Sequence, residues 1–395
     1  VGLPVDYIVG LEESGISFMP ADQAAKTAIP IGRIRSAGQG RLSVDVGEPS
    51  PAHHSLQLGG DNRSEIRLDS PPTTLSVEST HSRLEFESID RPEWAERLWH
   101  DQYGIAAEFT IRNVKFVLRW IPPGRFLMGS PETEVGRFDY EGPQHEVTIS
   151  QGFWLGETPV TQEQWAAVVE TGMEQPDLWK SCVPKNDLKR APSHFADAEA
   201  NANHPVEKVK WDNCNAFCHL LDGLITDGPK FRLPTEARWE YACRAGTQSA
   251  FNDGSACAIP EGLDPVLENL GWFTKNSKEA THPAKEKHPN AWGLYDMHGN
   301  VWEWCADLWD SAAYESRIAG VVDPVNDSGK SASRVVRGGS WINRALNCRA
   351  AYRGDCNPGG VFGSSGLRLS AGQEPRSVEQ TGAERALVPE RRSRG

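Results

Sequence analysis

Several features that would assign a function class at once are missing from this chain of 395 residues. It has no run of about 18 apolar residues, so no transmembrane helix is predicted. Its net charge of −13 argues against a nucleic-acid partner, because nucleic-acid binders usually present a basic face. No basic and apolar leader opens the chain, so no secretory signal peptide is predicted and a cytoplasmic location is the default expectation. The chain begins at Val1 without an initiator Met, which leaves the N-terminal sequence open.

The eight cysteines are too scattered to indicate a zinc ribbon or a compact disulfide framework. Cys214 and Cys218 recur with Phe217 and Leu221 at the spacing of a buried helical stripe. We therefore expect reduced thiols packed in a core, rather than a metal or redox pair.

The first 90 residues differ in pattern from the rest of the chain. The runs RLSVDV, HSLQL, SEIRLD, TTLSVE and SRLEFE alternate apolar and polar residues between Gly, Pro, Asp and Ser breaks. This pattern predicts a small antiparallel β unit at residues 1–90, with no recognisable catalytic constellation. A larger domain is predicted at residues 91–371, and the polar stretch 372–395 is predicted to be a disordered tail.

Three helices are predicted in the larger domain. One follows Thr161, with Gln164 completing a capping box, and a second follows Asp212. The third lies in PTEARWEYACRAG, with Thr235 as its N-cap and Gly246 as its C-terminal stop. Since long Gly-, Pro-, Asn- and Trp-rich connections join so few helices, the pattern indicates a compact α+β fold with sparse regular structure.

Five long segments resemble, in the same order, the formylglycine-generating enzyme family, or sulfatase-modifying factor domain. They are PPGRFLMGSPETEVGRFDYEGPQHEVTISQGFWLGETPVTQEQW, HPVEKVKWDNCNAFC, FRLPTEARWEYACRAGT, NAWGLYDMHGNVWEWCADLW and RVVRGGSW…GLRL. The resemblance implies an α+β variant of the C-type lectin fold. Known members include copper-dependent oxidases that convert a substrate cysteine to formylglycine, and binding proteins with no known catalysis. Function must therefore be argued from the site.

The copper oxidases of the family use two closely spaced cysteines after the GGS turn, because two soft thiolates can hold Cu(I). Here that segment reads SWINRALNCRAAYRGDC. Cys348 lies near the second family cysteine, residues 343–347 offer no partner, and Cys356 lies farther downstream. A copper-dependent oxidase with Cys348 as its candidate catalytic residue is the alternative function.

The segment from Ile342 to Gly372 contains no Lys, Glu, Gln, Met or Trp. These are the five amino acids that no NNC codon encodes, and NNC arises when the adenines of the Asn codon AAC are randomised. This is the expected signature of a diversity-generating retroelement, whose variable proteins in some cases resemble this family. The frame would then comprise Arg349, Ala351, Arg353, Pro358, Gly366 and Arg368. The candidate variable, ligand-binding positions are Ile342, Asn343, Arg344, Leu346, Asn347, Tyr352, Gly354, Asp355, Cys356, Asn357, Gly360, Val361 and Phe362.

A fixed binding loop is the other interpretation, because many loops are rich in Gly, Ser and Asn. In both cases residues 342–365 are the expected contact surface for a protein, peptide or glycan. Tyr352 and Phe362 would anchor the ligand. Hydrogen bonds would come from Asn343, Asn347, Asp355 and Asn357.

The segment GLYDMHGNVWEW resembles a calcium-binding turn of the family. The resemblance implies carboxylate ligands from Asp296 and Glu303 and backbone carbonyl ligands from Gly299 and Val301, and such hard oxygen donors suit calcium. The alternative is a metal-free turn closed by the side chains of Asn300 and Asp296.

Four large side chains near these motifs are expected to be structural. Trp302 and Trp304 are expected in the core. Arg337 and Arg368 are expected to pair with buried carboxylates or carbonyls and to hold the ends of the loop together.

Overall fold

The structure, a computed structural model, describes residues 92–372 apart from residues 184, 186, 197–199 and 328–330, together with seven strands between residues 7 and 87. The predicted run SEIRLD and the predicted tail 372–395, apart from Gly372, lie outside the described residues. None of the helices in the described part of the chain has the length and apolar character that a membrane crossing requires.

Seven strands are described before residue 91, and four of them coincide with predicted runs. They are β1 Tyr7–Glu12, β2 Gly15–Pro20, β3 Ile31–Ser36, β4 Leu42–Val46, β5 Ser55–Gln57, β6 Thr74–Glu78 and β7 Arg83–Glu87. They form the sheets β1-β2-β5 and β3-β4-β6-β7. The pairings are antiparallel, except that β4 and β6 run parallel. A parallel pairing requires a long connection, which residues 47–73 provide.

In its described residues, the larger domain combines short strands with five α-helices and three 3₁₀ turns. Its strands are β8 Arg97–Asp101, β9 Gly104–Ile111, β10 Val114–Ile121, β11 Gly124–Met128, β12 His145–Ile149, β13 Phe153–Gly156, β14 Phe231–Arg232, β15 Trp302–Leu308, β16 Val321–Val322, β17 Arg334–Arg337, β18 Arg353–Cys356, β19 Ser365–Gly366 and β20 Ser370–Ala371. Its α-helices are α1 Gln162–Met173, α2 Pro176–Cys182, α3 Trp211–Leu224, α4 Glu236–Arg244 and α5 Leu267–Leu270. The 3₁₀ turns are Asp139–Glu141, Glu315–Arg317 and Ala345–Cys348.

Two sheets and a helical layer enclose the main core. The six-stranded sheet has the order β14-β20-β13-β10-β9-β8, and α1 and α3 pack against it. Trp165 of α1 stacks on Phe217 of α3 with a centroid distance of 4.8 Å. Cys214 and Cys218 are buried in this core, which confirms their expected structural role. A four-stranded sheet, β18-β17-β15-β19, carries the candidate site.

The three predicted helices are confirmed, but the second begins at Trp211, so Asp212 lies in its first turn and does not precede it. The hydroxyl of Thr161 accepts a hydrogen bond from the Gln164 backbone, and the backbone N–H of Thr161 donates one to Gln164 Oε1. The hydroxyl of Thr235 caps α4 by accepting a hydrogen bond from the Arg238 backbone. Helix α4 ends at Arg244, because the backbone turns left-handed before the predicted stop at Gly246.

Candidate functional site

The 342–365 loop starts at a glycine turn and ends against a distant segment of the chain. Gly338 and Gly339 both have positive φ, and they turn β17 into the loop. Near its other end, Pro358 and Phe362 accept backbone hydrogen bonds from the 208–211 segment. The middle of the loop forms β18, which pairs antiparallel with β17. Both ends and the middle of the loop are therefore fixed to the scaffold.

Buried Arg349 fixes the start of the loop to the 134–141 segment. Its Nη1 lies 2.5 Å from Glu134 Oε1, and its Nη2 lies 2.6 Å from Glu141 Oε1. Nη2 also donates to the Gly136 carbonyl at 2.7 Å. The guanidinium is thus surrounded by oxygen atoms, and this arrangement compensates for the loss of water on burial.

Arg353 and Arg337 share one buried carboxylate on helix α4. Arg353 donates Nε and Nη2 to the two oxygens of Glu236, at 2.6 and 2.8 Å. Arg337 contacts Glu236 at 2.7 Å and Glu240 at 2.6 Å. Burial by itself would raise the pKa of Glu236, but the two arginines outweigh it and hold that pKa at about 2. Glu236 is therefore ionised over the physiological pH range.

Arg368 closes the end of the loop. Its guanidinium pairs with both oxygens of Glu303, at 2.7–3.1 Å, and also donates to the carbonyls of Gly156 and Tyr295. The expectation that Arg337 and Arg368 pair with buried carboxylates is confirmed.

Frame residues and candidate variable residues differ in exposure within the loop. Arg349, Ala351, Arg353 and Arg368 are at most 1% exposed, and Gly366 is also buried, whereas Pro358 is half-buried. By contrast, Ile342 is 56% exposed, Val361 49% and Phe362 46%. Arg344, Asp355 and Asn357 are also exposed, and Asn343, Asn347, Tyr352, Gly354, Cys356 and Gly360 are half-buried. Leu346 is the exception at 7%, because it packs near Gly136 and Pro260, so its side chain is not available to a ligand in this structure.

One cavity of about 350 Å³ opens beside β18. Five of its twelve lining residues are aromatic: Tyr140, Trp302, Trp309, Tyr352 and Phe362. The ring of Tyr140 lies 5.4 Å from Trp309 and 6.3 Å from Tyr352, both nearly perpendicular, and Trp302 lies 5.8 Å from Tyr352. Trp302 was expected in the core, but it is half-buried and lines this cavity, whereas Trp304 is fully buried as expected.

A second cavity, of about 570 Å³, also borders the loop. Ile342, Trp341 and Gly363 line it together with residues of the 194–208 and 274–279 segments. Buried Glu207 lies close behind it, since a Cβ atom at position 363 would lie 3.6 Å from Glu207 Oε2. Burial raises the pKa of Glu207 to about 7, and Oε2 has no hydrogen-bond partner among the described residues.

The two candidate thiols of the oxidase interpretation lie in different surroundings. Cys348 is fully buried in a cluster with Phe251, Cys257 and Phe273, and burial raises the pKa of its thiol. Cys356 is half-buried and packs against the main core instead. Burial also raises the pKa of Cys356, to about 11. Neither environment favours the thiolate that copper binding requires.

The predicted calcium ligands are engaged in bonds within the protein. Both oxygens of Glu303 accept hydrogen bonds from Arg368, and Oε2 also accepts one from Trp239. Asp296 accepts one hydrogen bond at each oxygen, from Asn300 and from the backbone of Lys285. Asp296 and Glu303 thus already have partners within the protein, and the Asn300–Asp296 contact matches the metal-free alternative. Calcium stays a prediction from the resemblance.

The sequence did not identify Tyr140 and Trp309 as residues of the 350 Å³ cavity. Tyr140 and Trp309 lie 169 positions apart in the chain, and neither belongs to the loop or to a periodic pattern. Arg349 and Arg353 bring the Tyr140 segment to the loop, because Arg353 Nη1 also donates to the Tyr140 carbonyl at 3.0 Å. The only sequence signal for these two cavity residues was an aromatic residue in a polar loop. Such a signal does not show which other residues the ring contacts.

The sulfatase-modifying factor enzyme 1-like domain matches residues 110–371. The chain therefore belongs to that family, as the five sequence segments predicted. The formylglycine-generating enzyme of Streptomyces coelicolor is 31% identical over 290 residues, covering 63% of this chain and 87% of the relative. The serine/threonine-protein kinase pkn1 of Chlamydia caviae is 32% identical over 257 residues, covering 64% of this chain but 37% of the kinase.

Among solved structures, the Treponema denticola variable protein 1 is 27% identical to this chain, with a TM-score of 0.54. The match covers 67% of this chain and 98% of that protein. The family fold is thus shared both with a protein named as an enzyme and with one named as variable.

Proposed function

We propose that this chain is a ligand-binding protein whose contact surface is the 342–365 loop. The observation that carries the proposal is the difference in exposure within the loop. Buried arginines fix the frame to carboxylates of the scaffold, while most of the candidate contact positions between them are exposed or line two cavities, and Leu346 is buried. A rigid scaffold that presents solvent-facing loop residues is the usual construction of a recognition surface.

We further propose that a retroelement diversifies this loop. Two observations support the idea: the absence of all five residue types that NNC cannot encode, and the similarity to a protein named as variable. The frame arginines keep the same contacts whatever residues occupy the exposed positions between them, so sequence change there costs little stability. In this arrangement residues 91–371 carry the binding function and residues 1–90 form an accessory unit.

Sequencing the gene across codons 342–365 with its flanking DNA tests diversification. We expect codons that end in C at the candidate positions, an Asn-rich near-copy nearby, and a reverse-transcriptase gene. Mixed third bases and no near-copy would show that the loop is a fixed binding site.

Ligand binding is tested with an array of purified proteins, peptides and glycans. For any ligand that the protein binds, Tyr352→Ala and Phe362→Ala should each weaken binding about tenfold or more, because large side chains near the centre of a contact carry most of its energy. Met173→Ala is the matched control, since Met173 on α1 is 47% exposed and Phe362 is 46% exposed. Equal binding by all three variants would contradict the proposal.

A further inference from the structure

The 350 Å³ cavity is lined by half-buried aromatic rings that meet at steep angles. Tyr140 is almost perpendicular to both Trp309 and Tyr352, at 72° and 80°. Trp302 is tilted by 40° from Tyr352. Rings set at such angles form the walls of a box rather than a flat stack, and the faces of aromatic rings attract cations. One face of Trp309 already receives the Arg353 guanidinium at 4.8 Å, and Phe138 stacks on one face of Tyr140, so a ligand would use the other faces.

The charges around the cavity leave one carboxylate without a partner. Arg353 lines the cavity, but its guanidinium is 1% exposed and is paired with both oxygens of Glu236, which Arg337 also contacts. Asp355 also lines the cavity, and it is exposed. Among the described residues Asp355 makes no ion pair or side-chain hydrogen bond. The exposed charge of the lining is therefore the carboxylate of Asp355, in a chain whose own net charge is −13.

We propose that this cavity binds an alkylammonium group, carried by a lysine side chain of a polypeptide ligand. The inference rests on the proposed function and specifies the chemistry of its ligand. The ring faces would surround the cation, and Asp355 would supply the opposite charge at the rim. A polypeptide is favoured because β18 has only β17 as a neighbour among the described strands, which leaves a strand edge beside the cavity.

Three walls of the cavity come from outside the loop. Tyr140, Trp302 and Trp309 are not candidate variable positions, whereas Tyr352 and Asp355 are. Sister copies of the protein would therefore keep three aromatic rings and change Tyr352, Phe362 and the carboxylate. Cation binding would be shared among the copies, and the loop would set its strength and the peptide that is preferred.

The test compares two short peptides that differ only in charge. One is Gly-Ser-Lys-Ser-Gly with a trimethylated lysine, and the other replaces the quaternary nitrogen by carbon. Titration calorimetry on the whole chain should give a Kd of about 1 mM or tighter for the cation, and binding about tenfold or more weaker for the neutral peptide. No binding of the cationic peptide, or equal binding of both peptides, would overturn the inference.

Two variants locate the binding to the cavity. Asp355→Asn should weaken binding of the cationic peptide about threefold or more, while Asp227→Asn, which removes the same charge from another exposed position, should leave it unchanged. Tyr352→Leu should weaken it about tenfold, and Tyr352→Phe, which keeps the ring, should retain most of the affinity. Thermal unfolding of each variant checks that it is folded. An unchanged affinity in Asp355→Asn and Tyr352→Leu would place the peptide elsewhere and overturn the inference.

Two further probes test whether the trimethylammonium group must be carried by a peptide. Free choline and phosphatidylcholine vesicles carry a trimethylammonium group without a peptide, and we expect both to bind more weakly than the peptide. Equal or tighter binding of either would overturn the polypeptide assignment. If no cation binds but another ligand depends on Tyr352 and Phe362, the inference fails and the proposed function stands. If no ligand depends on the loop, both fail.

Discussion

At the scale of single residues, the central feature is a set of buried arginines that share carboxylates. Glu236 receives Arg337 and Arg353, and Glu240 receives Arg337 and Arg244. Burying an ion pair gives little net stability, but removing one partner leaves a charge in a medium of low polarity. The network therefore acts mainly to specify one arrangement of the loop, and it makes each carboxylate difficult to replace.

Glu236→Gln should lower the free energy of unfolding by about 3–5 kcal/mol, because two buried guanidinium groups lose their shared negative charge. Urea denaturation followed by circular dichroism measures the effect. Glu261→Gln is the control, since the Glu261–Arg344 pair is about 60% exposed on both sides and should contribute less than about 1 kcal/mol. If the two variants lose similar amounts of free energy of unfolding, the structural role of the ion pairs that Glu236 makes with Arg337 and Arg353 is contradicted.

Glu207 gives a pH dependence of the opposite sign to that of Glu236. Its folded-state pKa of about 7 lies above its ordinary value of 4.5, so the folded protein holds the proton more tightly. Its contribution to stability is complete below about pH 4.5 and is lost as pH rises through 7. Glu207→Gln removes this titration. Relative to the parent protein, its free energy of unfolding should rise by about 1–3 kcal/mol between pH 4.5 and 8. If the difference in free energy of unfolding between Glu207→Gln and the parent protein does not change with pH, the raised pKa of Glu207 is contradicted.

At the scale of elements, the glycine turn before the loop decides where the loop begins. Gly339 has a φ of +74°, and a Cβ atom there would lie 2.6 Å from Cys348 Sγ and 2.9 Å from the Asn347 carbonyl oxygen. The turn therefore packs directly on the 3₁₀ turn Ala345–Cys348. Because both the backbone angle and the space require glycine, the RGGSW motif is structural.

Gly339→Ala should destabilise the protein by about 1–3 kcal/mol more than Gly254→Ala. Gly254 is the matched control, because its φ is +91° but a Cβ atom there would have nothing within 4 Å. Both substitutions bring backbone strain, and only the first adds a steric clash. Thermal unfolding of the two variants measures the difference, and equal midpoints would show that the contact with Cys348 and Asn347 is unimportant.

At the scale of the whole molecule, Arg368 links sheet strands at the loop's end to the predicted calcium turn. Arg368 pairs with Glu303. Its guanidinium therefore supplies the positive charge that a metal ion would otherwise place beside this carboxylate. The same guanidinium reaches Gly156 at the end of β13 and Tyr295 ahead of the turn. One side chain thus ties together segments that are far apart in the chain.

Removal of divalent cations should leave the thermal midpoint within about 2 °C, because Glu303 and Asp296 keep their protein partners without metal. Differential scanning fluorimetry with EDTA, followed by addition of CaCl₂, is the measurement. A fall of several degrees that calcium reverses would show that the turn rearranges to bind the ion, as the family resemblance implies.

The sequence by itself determined the family, the existence of three helices and the pairing of Arg337 and Arg368 with buried carboxylates. Caps, helix stops and buried stripes depend on residues within a few positions of one another, so a local pattern is sufficient to predict them. The segment that lacks five residue types, 342–372, is also visible along the chain, but the end of the loop at residue 365 does not follow from it.

Only the tertiary structure decided which side chains meet. Arg349 pairs with Glu141, which is 208 positions away in the chain, and Arg353 pairs with Glu236, which is 117 positions away. No local sequence pattern predicts such pairs. The same holds for Tyr140 and Trp309 in the cavity, for the buried position of Leu346 and for the engagement of Glu303 by Arg368. These features depend on packing between distant segments, where burial and the pairing of charges, rather than sequence spacing, determine the arrangement.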